Sequence, residues 1–475
     1  MSRKNELVKN TFIISLGQFL PQLFNIILVP VVTEYLTTEQ DGIYDFILTL
    51  VSLMLPIATL QIQSAAFRFL IEERGNFENC KKIISNIFFF TLATSVVVVI
   101  AFCGIYNSLS IIGRILLGIY LYADITYILF GQVIRGLADN KSFSVGAIIL
   151  SATKTLFVVL ALVVFKLEIE GVLFALMMGY IIASLYLVFK GKLYRYISIK
   201  CVSKKQLVPL IQYSWPMIPN NLSSWALKIS DRLVITFFLG YEANAVYAAA
   251  NNIPNILNVA RGVLIMAWQE NASIAVNDSD ASAYYSKLFK EMYAMIAGVT
   301  ALVIGFSPLL FKLLVKGDYA DAFYQMPLLF LGVFYGCMSA FQGGIYIAHK
   351  RTQNVGMTTL LAALINIIVD LSLVNVIGIY AGSISTLVSY LALFIYRLID
   401  VKKFQEMEYS YKHIIGIAVV LVVMCILGGF KSIPLYIINC ALGIIFAYSI
   451  NKDMIHGLIP KVINLVKSIF INITN

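Results

Sequence analysis

The sequence predicts an all-α polytopic membrane protein of about 14 transmembrane helices, two parallel-repeat six-helix bundles around a central cavity plus two C-terminal helices. Three observations predict it. The 475 residues are 60% hydrophobic and only 13% charged, with a mean hydropathy of +0.86, so a soluble core of this size would leave far too much apolar surface in water. Apolar runs recur at the roughly 20 residues that a bilayer crossing needs. Lysine and arginine gather in alternate loops. No room remains for a large soluble domain.

Taken in order, the spans fall near residues 11–32, 42–66, 83–106, 110–133, 145–165, 168–189, 209–239, 242–266, 288–315, 323–347, 354–376, 378–400, 411–430 and 434–450. Arg3, Lys4 and Lys9 precede the first run, which is too long for a secretory h-region and has no small-residue cleavage site, so it reads as a span. Basic residues then collect on one side, from these three through Lys81, Lys82, Lys190 to Lys205, Lys350, Arg351, Lys402, Lys403 and Lys452. The opposite loops hold Arg114, Lys166, Lys312, Lys316 and Lys431. The asymmetry places both termini in the cytoplasm and demands an even span count. It also accounts for the net charge of +10 through anionic headgroups rather than nucleic acid.

The basic linker 191–206 divides the chain into an N-terminal six-helix bundle, 1–190, and a C-terminal one, 207–403, followed by two extra transmembrane helices and a cytoplasmic tail, 404–475. A repeat supports the cut. Tyr35-Leu-Thr-Thr-Glu-Gln-Asp-Gly-Ile-Tyr44 aligns with Phe238-Leu-Gly-Tyr-Glu-Ala-Asn-Ala-Val-Tyr247, each after the first span of its half. Six spans separate the copies, an even number, so the halves share one orientation.

Polar side chains facing lipid are costly, so those that recur at helical spacing should face a neighbouring helix or a wet cavity. The first span carries Ser15, Gln18, Gln22 and Asn25; the second carries Asp45, Thr49, Ser52, Pro56, Thr59 and Gln63; the seventh carries Asn221 and Trp225. In the eighth, Tyr247, Asn251, Asn255, Asn258 and Arg261 step by four, four, three and three. The tenth has Tyr335, Ser339, Gln342, Tyr346 and His349. Each stripe is either hydrogen-bonding glue between helices or cavity lining suited to sugar hydroxyls and ring faces.

Charges inside spans are more specific. Lys228, Asp231 and Arg232 lie about one turn apart, with Lys154 in the fifth span, Asp124 in the fourth, Asp370 in the eleventh and Arg261 near the end of the eighth. Arg68 and Arg135 sit at span ends, where snorkelling accounts for them. The cations Lys154, Lys228, Arg232 and Arg261 outnumber Asp124, Asp231 and Asp370, which favours an anionic, phosphate-bearing cargo. The three acids either couple H+ or Na+ or pair the bases across helices, and no other cofactor is expected.

Other signals are set aside. Asp278-Ser-Asp280 has a metal-holding form but no catalytic domain around it and reads as a helix start. Cys80, Cys103, Cys201, Cys337, Cys425 and Cys440 show no ligand or disulfide spacing. His349, His413 and His456 are isolated, and no phosphate-cradling glycine loop occurs.

The motifs resemble the polysaccharide transporter branch of the multidrug/oligosaccharidyl-lipid/polysaccharide exporter superfamily, the Wzx-type flippases. The residues that carry this are Gly42-Ile-Tyr-Asp-Phe46, Leu60 to Glu72, Trp215-Pro-Met-Ile-Pro219, Ser230-Asp231-Arg232 running to Gly240, Tyr247 and Ala267-Trp268-Gln269. The resemblance implies alternating access in the bacterial cytoplasmic membrane. Its implied cargo is an undecaprenyl-pyrophosphate-linked oligosaccharide repeat unit for O-antigen, capsule or exopolysaccharide, with membrane lipids, a glycan polymerase and glycosyltransferases as partners. Asp231 and Arg232 match the family's block; Lys154 and Lys228 come from the charge argument alone. The competing readings are a cation-coupled multidrug exporter of the same superfamily, whose cavity should be acidic, and a flippase for lipid II or a teichoic-acid precursor. A membrane-embedded glycan polymerase or transferase would be an enzyme, but it would need a long catalytic loop that this chain lacks.

Overall fold

The computed structural model describes the backbone of residues 3–106, 108–258, 280–430 and 432–474, together with 261, 268, 272, 275, 276 and 278. The side chains before Gly17, of Gln18 and Ile105, and after His456 lie outside the described residues, and so do the Ser15 and Gln18 assignments.

Helices are the only regular structure among the described residues, as expected of a chain that must satisfy its own backbone in hydrocarbon. The first compact unit, residues 1–248 with 314–318, contains α1 (Arg3–Tyr35), α2 (Thr38–Thr59), α3 (Ile62–Glu72), α4 (Phe77–Ile105), α5 (Ile111–Gly136), α6 (Asn140–Val159), α7 (Ile169–Lys190), α8 (Lys204–Ser214), α9 (Met217–Leu239) and most of α10 (Tyr241–Asn252). The second unit, residues 249–313 and 319–475, holds α11 (Ala281–Leu314, all but its last residue), α12 (Ala322–Ala348), α13 (Thr352–Ile377), α14 (Tyr380–Asp400), α15 (Tyr411–Gly429) and α16 (Ile433–Thr474).

Local chemistry starts and stops these helices. Thr37 and Gln40 exchange side-chain and backbone hydrogen bonds in a capping box that begins α2. Asn76, Ser110 and Asp139 cap α4, α5 and α6 in the same side-chain-to-amide manner. Gly240 ends α9 at φ 90°, a conformation that L side chains rarely adopt, and allows α10 to begin at once.

Eleven helices among the described residues are long and apolar enough to cross a membrane, with Phe19–Tyr35 a shorter apolar segment. This is a multi-pass membrane protein. Three of the expected spans depart from the sequence reading for visible reasons. The second, read as one run over 42–66, is broken where Leu60 and Gln61 both take left-handed conformations after Pro56, separating α2 from α3. The seventh is broken at Trp215 and Pro216 into α8 and α9, and its charged trio keeps it from counting as an ordinary apolar span. The eighth is interrupted at Ile253–Asn255 around Pro254, so the five-residue stripe from Tyr247 to Arg261 is not one continuous helical face.

Two apolar clusters fill the first unit. One gathers Leu28, Ile47, Leu117, Leu121, Val172 and Leu176; the other gathers Ile62, Leu70, Ile84, Val133, Leu187 and Leu210. Asp124 lies on α5 between Leu121 and Ile125 of the first cluster, just over one turn before Leu129 of the second.

Candidate functional site

Two polar centres are built into the first unit. In the first, the ammonium of Lys154 on α6 donates to Asn25 Oδ1 on α1 at 2.9 Å, and Asn25 in turn donates to Gln22 Oε1 at 3.5 Å. Buried Asp124 on α5 acts on the same ammonium electrostatically. Tyrosines surround the carboxylate: Tyr120 and Tyr180 rings lie 5.5 Å apart and Tyr127 and Tyr180 5.7 Å apart. The close approach of α6 and α7 that brings these groups together depends on Gly179, where an added Cβ would stand 3.1 Å from the Lys154 backbone. Beyond Lys154 the helix widens into a π turn at Leu160–Val164, a distortion often found beside functional groups.

The second centre joins α2 to α9 and α10. Arg232 forms an ion pair with Asp45. The other Asp45 oxygen accepts from Asn244 Nδ2 at 3.1 Å, and the same amide reaches Gly42 O at 3.2 Å. One turn away Tyr247 OH donates to Asp231 Oδ2 at 2.7 Å, with both side chains buried. Trp225 Nε1 donates to Ser52 Oγ at 2.8 Å. Gly42 permits the contact, since a Cβ there would overlap the Tyr241 carbonyl. Gly42→Val is therefore expected to force α2 from α10 and to lower the melting temperature of the purified protein while the chain still inserts, as checked by thermal unfolding in detergent against membrane-fraction immunoblots.

The sequence candidates distribute unevenly over these centres. Lys154, Asn25, Gln22 and Asp124 meet in one; Arg232, Asp231, Tyr247 and Trp225 meet in or beside the other. Asn221 turns back to its own helix, donating to Met217 O at 3.0 Å. Lys228 is exposed on α9 while Asp231 is buried. Asn251, Asn255, Asn258 and Arg261 belong to the second unit, where Asn258 donates to Asn255 Oδ1 at 2.8 Å. Asp370 is fully buried on α13, one turn from Asn366, whose amide donates to Ser385 Oγ at 3.3 Å.

Two groups escaped the sequence reading. Asp45 stands in the polar stripe of the second span but belongs with the charged groups; counting it sets Asp45, Asp124, Asp231 and Asp370 against Lys154, Lys228, Arg232 and Arg261, so the excess of positive charge among these groups disappears. Its signal was the acid three residues after Gly42. Arg397 of α14 was also missed. It is buried and donates to Ser339 O at 2.8 Å, Thr358 Oγ1 at 2.8 Å, Thr359 Oγ1 at 3.1 Å and Val355 O at 3.2 Å. The tenth-span stripe takes part in the same packing: Ser339 supplies a carbonyl to Arg397, Tyr346 OH donates to Asp400 Oδ2 at 2.7 Å, and His349 meets Gln405 Oε1 at 2.9 Å. The first two are helix-to-helix contacts, and the third joins the turns that follow α12 and α14.

A family model described as "Polysaccharide biosynthesis protein" matches residues 7–269. Among solved structures, the lipid II flippase MurJ in an inward closed conformation is 16% identical with a TM-score of 0.70, over 94% of this chain and 100% of that one. An inward-facing multidrug resistance MATE family transporter of the MOP superfamily is 15% identical with a TM-score of 0.64, over 82% of this chain and 95% of that one. A MOP superfamily transporter from Pyrococcus furiosus Vc1 (DSM3638), described as having a binding pocket of reverse polarity, is 14% identical with a TM-score of 0.59, over 83% and 95%. The shared fold is that of the MOP transporters. No curated protein matches the chain.

Proposed function

Because the chain belongs to the polysaccharide biosynthesis protein family, we propose that it is a flippase moving a lipid-linked, undecaprenyl-pyrophosphate oligosaccharide repeat unit across the bacterial cytoplasmic membrane by alternating access. The observation that carries this reading is a partly buried guanidinium, Arg232, held in the family-matched region by a carboxylate from another helix. A group of that kind offers planar donors to a phosphate. Lys154, Lys228 and Arg261 are the further anion contacts, and the amide, hydroxyl and indole groups near them suit the saccharide. The polyprenyl tail would stay in lipid while the headgroup crosses between two six-helix bundles, so no charge passes through hydrocarbon. Asp124, Asp231 and Asp370 are the acids through which H+ or Na+ would drive the cycle. Both termini lie in the cytoplasm on this reading, and a glycan polymerase and glycosyltransferases act beside it.

The test is complementation of a strain lacking the native gene. Arg232→Ala and Lys228→Ala are each expected to block surface-glycan export, read by glycan staining, while the proteins remain folded and inserted. Normal export by both variants overturns the cationic-site reading.

A further inference from the structure

We propose that Asp45, Arg232 and Asn244 form a latch between the two sequence repeats, and that an anionic headgroup opens it by taking the Arg232 guanidinium away from Asp45. The opening step rests on the cargo reading above; the latch itself does not.

By sequence, α9 and α10 begin the second repeat, yet they cluster with the helices of the first as far as Ala248, and so does the short segment Leu314–Asp318. The contacts responsible gather toward the end of the unit where α1 and α9 finish and α2 and α10 begin. Asp45 of the first repeat meets Arg232 and Asn244 of the second. Ser108 Oγ and Tyr241 OH lie 2.9 Å apart, Phe46 and Tyr241 rings meet edge to face at 5.6 Å, and the Lys316 amide donates to Thr33 Oγ1 at 2.9 Å. The loop charges assign this end to the outside. Within this unit α9, α10 and the 314–318 segment of the second repeat are thus fastened to the first repeat at the outer end, chiefly by polar groups.

Polar fastening suits a contact that must open. A packed apolar seam would expose hydrocarbon to water on separation, whereas an ion pair can be exchanged for another ion pair. Arg232 retains 21% side-chain exposure and Asp45 11%, so an approaching anion can reach the pair. A guanidinium has five N–H donors in a planar fork. A phosphate presents more oxygens and more charge to that fork than one carboxylate does. Once Arg232 turns to the phosphate, Asp45 keeps only the neutral Asn244 amide. A buried carboxylate deprived of its cation is strongly unfavourable, so α2 and α9 part. Cargo binding and outer opening become one event, and a neutral or singly charged glycolipid gains no such purchase.

The experiment uses the full chain in intact cells, with the six native cysteines replaced and Ser52→Cys, which lies about two helical turns along α2 from Asp45, as reporter toward a membrane-impermeant maleimide. Labelling is expected to be slow with Asp45 and Arg232 in place, and at least about tenfold faster in Asp45→Asn, since close charge pairs couple by more than the 1.4 kcal/mol that a tenfold change represents. In proteoliposomes inorganic pyrophosphate should accelerate labelling of the otherwise native chain more than sulfate at equal ionic strength, with no added effect on Asp45→Asn. Unchanged labelling in Asp45→Asn overturns the latch; equal effects of pyrophosphate and sulfate overturn the exchange. If Asp45→Asn fails to insert, the reversed pair Asp45→Arg with Arg232→Asp should return slow labelling, and fast labelling there overturns the latch as well. Normal glycan export by Arg232→Ala would remove the cargo reading even where fast labelling of Asp45→Asn upholds the latch. Lost export with unchanged labelling would do the reverse.

Discussion

Lys154→Met is expected to abolish glycan export and to lower the thermal stability of the purified protein. Lys154 sits on an apolar helix with its ammonium bonded to Asn25 and influenced by Asp124. Methionine fills a similar volume, so packing along α6 against α7 and Gly179 should survive. The loss falls on Asp124, which would remain buried without the cation that acts on it electrostatically, and a lower melting temperature follows. The double variant Lys154→Met with Asp124→Asn separates structure from function. Removing both charges together is often neutral for folding, so the melting temperature should return toward that of the native protein while export stays absent. Recovery of export in the double variant would reduce the pair to a structural contact. Lost export with native-like melting in Lys154→Met alone would show that Asp124 finds another partner.

The fold class was legible because composition, run length and loop charge are properties of the chain that no packing detail can reverse. The breaks were less so. The apolar run from Gly42 to Ala66 is continuous in hydropathy, and only the left-handed pair Leu60 and Gln61 divides it, whereas Pro254 gave visible notice of the interruption after α10. Helical spacing placed Lys228, Asp231 and Arg232 together but could not say which would be covered. Tertiary contacts decide that: Tyr247 takes Asp231, Asp45 takes Arg232, and Lys228 stays exposed. Pairings such as Asp45 with Arg232 join residues far apart in sequence, and no periodicity within either helix reveals them. Asp124 with Lys154 was foreseen only as one of several pairings. Arg397 escaped for the same reason, since its position near the end of a span suggests snorkelling and its acceptors come from α12 and α13.

Arg397→Met supplies the contrast that gives the other charge variants their meaning. It is expected to destabilise the second unit and to lower the amount of inserted protein. The guanidinium reaches Ser339 O on α12 and Val355 O, Thr358 Oγ1 and Thr359 Oγ1 on α13, so one side chain of α14 ties two neighbours. Gly343 makes space for it, a Cβ there standing 3.2 Å from the guanidinium. Methionine would fill part of the volume and satisfy none of these oxygens. Each hydrogen bond from the charged guanidinium that is lost costs about 1.5–3 kcal/mol, offset in part because the two carbonyls keep their helical donors and the threonine hydroxyls already bond to their own helix, Thr358 to Asn354 O at 2.8 Å and Thr359 to Val355 O at 2.7 Å. A net loss of about 2–4 kcal/mol follows, visible as a lower melting temperature in detergent. Arg397→Lys should recover little of it, because an ammonium cannot span the same fork of acceptors. Export falls in this variant through loss of protein, so export per inserted molecule should stay near the native value. In Arg232→Ala the opposite pattern is expected, with protein present and export per molecule gone. Equal export per molecule in the two variants would mean that Arg232, like Arg397, serves the fold rather than the cargo.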